Sequence, residues 1–128
     1  MRSADLVIAV VDDEASVRTM LGRVLRLADY EVAAFASGEE FLASLPERIP
    51  ACVLLDVHMP GLSGLDTQSR LRATHSDIPV IFITASDDPG LDQLVLEAHG
   101  LDLLRKPFAS ERLLGAVAAA LKRRVGDA

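Results

Sequence analysis

Cys52-Val53-Leu54-Leu55-Asp56, followed by Val57-His58-Met59-Pro60-Gly61, is the stretch on which the reading of this chain turns. Four apolar residues and then a carboxylate, with Pro and Gly close behind, describe a buried strand that ends by presenting an acid at the mouth of a loop. An aspartate in that position most simply starts a turn by bonding its own backbone. Asp56 gains chemical meaning only from what the other strand ends carry.

On the N-terminal side, Leu6 to Val11 is a continuous apolar run suited to a strand covered on both faces, and it ends in Asp12-Asp13-Glu14. Val17, Met20, Leu21, Val24, Leu25 and Ala28 then recur at helical spacing opposite Arg18, Arg23 and Arg26, which predicts an amphipathic helix stopping near Asp29. Glu31 to Phe35 reads as a second strand. Ser37-Gly38-Glu39-Glu40 is a Ser-x-x-Glu capping signature that opens a helix with Phe41, Leu42 and Leu45.

On the C-terminal side, Pro60-Gly61-Leu62-Ser63-Gly64 leads into a polar-faced helix through about Ala73. Pro79 to Ile83 is a fourth strand ending in Thr84-Ala85. Asp88-Pro89 reads as N-cap and first position of a short helix whose apolar stripe is Leu91, Leu94, Val95 and Ala98. Asp102 to Arg105 is a fifth strand ending at Lys106-Pro107, and a last helix, capped by Ser110, carries Leu113, Leu114, Val117 and Leu121. Lys122-Arg123-Arg124 at its end complements the helix dipole. Strand and helix thus alternate five times with short connections. That pattern specifies one α/β domain over residues 1–128, a parallel sheet with helices on both faces.

The bulk properties exclude several classes. With 128 residues, half of them hydrophobic, the chain has material for one domain with a sizeable core. A net charge of −6 argues against direct nucleic-acid binding and against a basic membrane-surface protein. The single Cys52 lies in an apolar strand, so no internal disulfide forms and the thiol is a small core residue. No apolar run approaches the roughly 18 residues of a membrane span, and Met1-Arg2-Ser3-Ala4-Asp5 lacks a signal-peptide core. The expected location is the cytoplasm.

In an open parallel sheet the site lies at the carboxyl ends of the strands, where strand order reverses. Those ends carry Asp12-Asp13, Asp56, Thr84-Ala85 and Lys106-Pro107. Carboxylates a few ångströms apart repel by roughly 4 kcal/mol per close pair at an effective dielectric of ~20, so the group calls for a cation. Mg2+ suits it, because that ion takes one or two carboxylates, keeps waters and is completed by phosphate oxygens. His58, His75 and His99 are scattered surface or loop residues and form no zinc cluster. A carboxylate beside such an ion attacks phosphorus to give an acyl phosphate, and the transferred group needs donors and positive charge. Thr84 offers a hydroxyl and Lys106 an ammonium. Lysine is scarce here, two against eleven arginines, so Lys106 is not the chain's habitual cation. Pro107 sets a cis peptide that aims the ammonium inward, or simply ends the strand. Ala85, being small, leaves an opening for a phosphodonor, or is filler.

These residues resemble the receiver domains of two-component response regulators, and among them the FixJ-like kind. The likeness runs from Ile8-Ala9-Val10-Val11-Asp12-Asp13-Glu14, through Leu54-Leu55-Asp56-Val57-His58-Met59-Pro60-Gly61-Leu62-Ser63-Gly64, to Pro79-Val80-Ile81-Phe82-Ile83-Thr84-Ala85 and Lys106-Pro107-Phe108. The resemblance implies a flavodoxin-like sheet of order 2-1-3-4-5. It implies that Asp56 accepts a phosphoryl group from a histidine kinase or phosphotransfer protein. It implies, too, that Asp13, Asp56 and the His58 backbone carbonyl bind Mg2+, with Asp12 helping through water, while Thr84 and Lys106 hold the phosphoryl oxygens. The output is then an unidentified partner protein or domain, or a homodimer through the face of the fourth helix, fifth strand and fifth helix. His58 and Ser86 fall at two variable positions that govern acyl-phosphate lifetime in the family. The chain departs from the family at Leu103, where an aromatic usually swings inward as the Thr moves, and at Ala98-His99-Gly100, where Ala-Gly-Ala is common.

Two readings from other classes stand beside this one. A small phosphatase with an Asp nucleophile shares the sheet, but Asp56-Val57-His58 lacks the second acid of Asp-x-Asp enzymes. A flavodoxin-like cofactor binder is disfavoured because the loop after the first strand is acidic where phosphate binding wants free amides.

Overall fold

Parity along the strands decides how this chain packs. In the computed structural model, which describes residues 6–126 and side chains as far as residue 123, β1 (Val7–Val11) sends Ile8 and Val10 to one face and Ala9 and Val11 to the other. β3 (Cys52–Asp56) divides likewise into Cys52 and Leu54 against Val53 and Leu55, and β4 (Val80–Thr84) into Ile81 and Ile83 against Val80 and Phe82. Every residue of β3 and β4 is buried. Strands apolar on both faces must be covered on both faces.

The helices supply that cover in two groups. α1 (Ala15–Leu27) and α5 (Ser110–Gly126) bring Leu21, Leu25, Leu113, Ala116 and Val117 to the face of Ile8, Leu54 and Ile81. α2 (Gly38–Ala43), α3 (Gly64–Thr74) and α4 (Gly90–Glu97) bring Phe41, Leu71, Leu91 and Val95 to the face of Val11, Leu55 and Phe82. With β2 (Glu31–Phe35) and β5 (Asp102–Arg105) at the edges, the five parallel strands run in the order β2-β1-β3-β4-β5. The chain turns one way from β1 to β2 and the other way to β3, so the reversal lies between β1 and β3, as expected for this sheet class.

Ser37 caps α2 as its sequence signature requires, accepting the Glu40 N–H on its Oγ at 3.1 Å while Glu40 returns a carboxylate oxygen to the Ala36 N–H. Several expectations shift, among them Met20 of α1, which stands 44% exposed rather than in the apolar stripe. α4 starts at Gly90, one residue beyond the reading, because Asp88 bonds the Gly90 amide with its side chain and the Leu91 amide with its carbonyl, making a turn that leaves Pro89 as the cap. Ser110 is the first residue of α5 rather than its cap: the Ala109 carbonyl receives the amides of Arg112 and Leu113. Leu94 is 46% exposed and Leu96 68%, so the buried stripe of α4 narrows to Leu91 and Val95. Met1 to Asp5, read as lacking a signal core, and the side chain of Arg124 in the terminal basic run lie outside the described residues.

Candidate functional site

Strand register assembles the site. Val11 lies opposite Leu55, Asp56 opposite Ile83, and Thr84 opposite Arg105, so the residues at or just past these ends share one rim. Asp12, Asp13 and Asp56 each offer a carboxylate oxygen there, all within 4.8 Å of one another. Asp12 is fully buried, Asp56 is 4% exposed, and Asp13 faces solvent. At such separations each ionised pair repels by on the order of 3 kcal/mol. Burial first, and then the charges of Asp12 and Asp13 against a partial offset from Lys106, push the Asp56 carboxyl up to about 7.

Lys106 comes from the end of β5, where its N–H bonds the Thr84 carbonyl at 2.8 Å and its peptide bond to Pro107 is cis, one of the two readings the sequence left open. Its Nζ donates to Asp12 Oδ2 at 3.1 Å and lies 3.7 Å from Glu14 Oε1. Burial pulls this ammonium down, but the Asp12 hydrogen bond and the charges of Asp56, Asp12 and Glu14 outweigh it and leave it raised. Lys106 is therefore a retained cation held against the acids of the first strand. Asp12 is pinned on other sides as well: its Oδ1 accepts the Glu14 N–H at 2.9 Å, and its carbonyl accepts from Arg18 Nη1 at 2.8 Å.

Thr84 is fully buried, and its Oγ1 accepts the Ser86 N–H at 3.0 Å, which leaves the hydroxyl proton free to donate. Ala85 is exposed beside it, in keeping with an opening at the rim. His58 is exposed between buried Val57 and Met59, two residues past Asp56. Leu103 is partly buried against the Phe82 face. Gly64 opens α3 so close to Asp56 that a Cβ on it would stand 2.1 Å from the Asp56 carbonyl oxygen. The Gly64 N–H in turn bonds the Val57 carbonyl at 2.9 Å, so this glycine seats the loop against the strand end.

Sequence reasoning thus brought Asp12, Asp13, Asp56, Thr84 and Lys106 to one rim, and there they are. It missed Glu14 as a second partner of Lys106, although Glu14 directly follows the acidic pair. It missed Arg18 as a brace on Asp12, and it missed Arg105, whose contacts with Asp88 and Asp92 span 17 and 13 residues and carry no local signal.

The donor set is all carboxylate at the cluster, hard oxygen with no imidazole or thiolate, and two of its three members are out of water. Such a set fits a hard divalent cation. Comparison with known proteins agrees with the geometry. Residues 8–118 match the family model described as response regulator receiver domain. Nodulation protein W of Bradyrhizobium diazoefficiens is 40% identical over 121 residues, 94% of this chain and 53% of that protein. The chain spans about half the length of the curated relatives it matches. Among solved structures, a response regulator receiver protein from Burkholderia phymatum superposes with a TM-score of 0.82 at 41% identity, covering 91% of this chain and 95% of that one. A CheY-like receiver domain protein from Methanospirillum hungatei, 20% identical, shares the fold with a TM-score of 0.90, over 96% of this chain and 98% of that one.

Proposed function

The chain belongs to the response regulator receiver family and is a receiver domain of two-component signalling, and from that premise we propose that Asp56 is its phosphoacceptor. The observation that carries the proposal is the convergence of three carboxylates and one ammonium at the rim beside a buried threonine hydroxyl. A carboxylate oxygen of Asp56 attacks the phosphorus of a phosphohistidine on a kinase or phosphotransfer protein. The new O–P bond forms as the N–P bond breaks, and the imidazole nitrogen leaves with the electron pair and takes a proton from solvent. Lys106 and Thr84 donate to the phosphoryl oxygens, which need charge and hydrogen bonds more than they need a base.

Asp13, Asp56 and the backbone carbonyl of His58 would hold Mg2+, with Asp12 contributing through water. When bound, the ion supplies positive charge that lets the three acids stay ionised and offsets the charge of the incoming group. Asp12 keeps Lys106 at the rim. Ala85 leaves room for the donor, while His58 and Ser86, flanking the entrance, set how readily water reaches the acyl phosphate.

We read residues 1–128 as one receiver that accepts phosphate rather than as a turnover enzyme, since Asp56-Val57-His58 offers no second acid two residues on. No helix among the described residues is long and apolar enough to cross a membrane, and a cytoplasmic setting suits a histidine-kinase partner. The output is an unidentified protein or domain, or a second copy docking on the face of α4, β5 and α5, where Leu96 stands exposed.

Intact-protein mass spectrometry tests the assignment. With Mg2+ and acetyl phosphate, the protein is expected to gain one phosphoryl group and Asp56→Asn none. Full labelling of the variant would refute Asp56 as the acceptor.

A further inference from the structure

The segment between β4 and α4 is tied down at its far end by a residue outside the acceptor cluster. Arg105 closes β5 opposite Thr84 in the ladder and directly precedes Lys106. Its Nη2 donates to the Asp88 carbonyl at 2.8 Å, and its two terminal nitrogens span both carboxylate oxygens of Asp92, in the first turn of α4, at 3.1 and 3.2 Å. Only a planar fork reaches three acceptors on a loop and a helix together.

Between Thr84 and this clamp runs a chain of short links. The Ser86 N–H bonds Thr84 Oγ1 at 3.0 Å, the Asp88 N–H bonds Ser86 Oγ at 3.1 Å, and the Gly90 N–H bonds Asp88 Oδ1 at 2.9 Å. Each spans two residues, so residues 84–90 have little slack. Were Thr84 to move toward Asp56, as the family resemblance implies, these links would draw Ser86 and Asp88 along and strain the bond from Arg105 to the Asp88 carbonyl. Leu103, two residues before Arg105, is an aliphatic side chain packed against the Phe82 face, with neither ring nor hydroxyl to report that displacement. The links reach the first residue of α4 at Gly90, and Arg105 adds a second tie, from β5 to the Asp88 carbonyl and to the Asp92 carboxylate.

We propose that Arg105 is a positioning residue that anchors residues 84–90 in the resting arrangement and so opposes phosphorylation of Asp56. This rests on Asp56 being the acceptor. The clamp is weak by construction, because the Arg105 side chain is 33% exposed and that of Asp92 63%. Release is expected to change rates by about two- to five-fold, in line with a partly exposed ion pair.

The experiment compares initial rates of Mg2+-dependent labelling by sub-saturating acetyl phosphate in the full chain, in Arg105→Ala and in Asp92→Asn, read by intact mass with Asp56→Asn as the blank. Both clamp variants are expected to label about two- to five-fold faster. A general charge effect on an anionic donor would move them in opposite directions, since one variant loses a positive charge and the other a negative one. Damage to the fold would slow both. Wild-type labelling at Asp56 with either clamp variant at or below the wild-type rate overturns the role of Arg105 and leaves the acceptor assignment standing. Absence of label at Asp56 in the wild type overturns the acceptor assignment and this inference together.

Discussion

Asp56 is a carboxyl that folding makes uncomfortable. Its pKa rises from an ordinary 3.8 to about 7 because it leaves water beside two other acids. A raised acid binds its proton more tightly in the folded state, so the stability it permits is full below pH 3.8, declines as the pH climbs toward 7, and stays low above. A shift of that size corresponds to at most about 4 kcal/mol, and relaxation of the repelling acids leaves an expected effect of about 1–2 kcal/mol. Urea denaturation of metal-free protein at pH 8 is expected to find Asp56→Asn more stable than wild type by that amount, with the difference vanishing near pH 4. Adding Mg2+ is expected to raise the wild type more than the variant, and chelation to restore the gap. Equal stabilities at pH 8 without metal would contradict the picture of mutually repelling acids. The three acids and Lys106 were legible because each stands at or just past the end of a strand. Arg18 and Glu14 were not, because their importance depends on where a long side chain reaches.

Elements bring these side chains together, and α3 meets the site without any titratable group. α3 begins at Gly64, where only a residue without Cβ fits, because that atom would stand 2.1 Å from the Asp56 carbonyl oxygen. The obstacle is backbone on a buried strand and cannot yield as a flexible side chain would. Gly64→Ala is expected to cost about 2–3 kcal/mol in chemical denaturation and to slow labelling of Asp56, since relief requires moving the strand end itself. Unchanged stability and labelling would show that the loop gives way instead. β5 is held from both sides by arginine forks: Arg112 of α5 grips Asp102 at its start with two bonds of 2.8 and 2.9 Å, and Arg105 at its end grips α4. The Arg112 hydrogen bond, opposed by some burial and helped by the Leu103 N–H, holds the Asp102 carboxyl below its usual range. An edge strand of four residues gains little from its own ladder, so these ties fix its position relative to both helices.

At the scale of the molecule, the acceptor rim and the face of α4, β5 and α5 are joined through a strand end and one loop. Exposed Leu96, one turn on from the Asp92 that meets Arg105 of β5, gives that face apolar surface for a partner. In the presence of beryllofluoride and Mg2+, sedimentation is expected to show self-association, and Leu96→Glu to weaken it about tenfold without lowering the thermal midpoint, because Leu96 is not part of the core. Dimers of undiminished affinity in the variant would place the contact elsewhere. The element order, the two-faced burial of the central strands and the identity of the acids, hydroxyl and ammonium were determined by sequence alone, since they follow from apolar periodicity and from what stands at each strand end. The one-residue shifts at α4 and α5, the outward turn of Leu94, the pairing of Lys106 with Asp12 and Glu14, and the Arg105 clamp were decided only by tertiary structure. They depend on which donor among several finds an acceptor within reach, and contacts across 13, 17 or 94 residues leave no periodic trace in the chain.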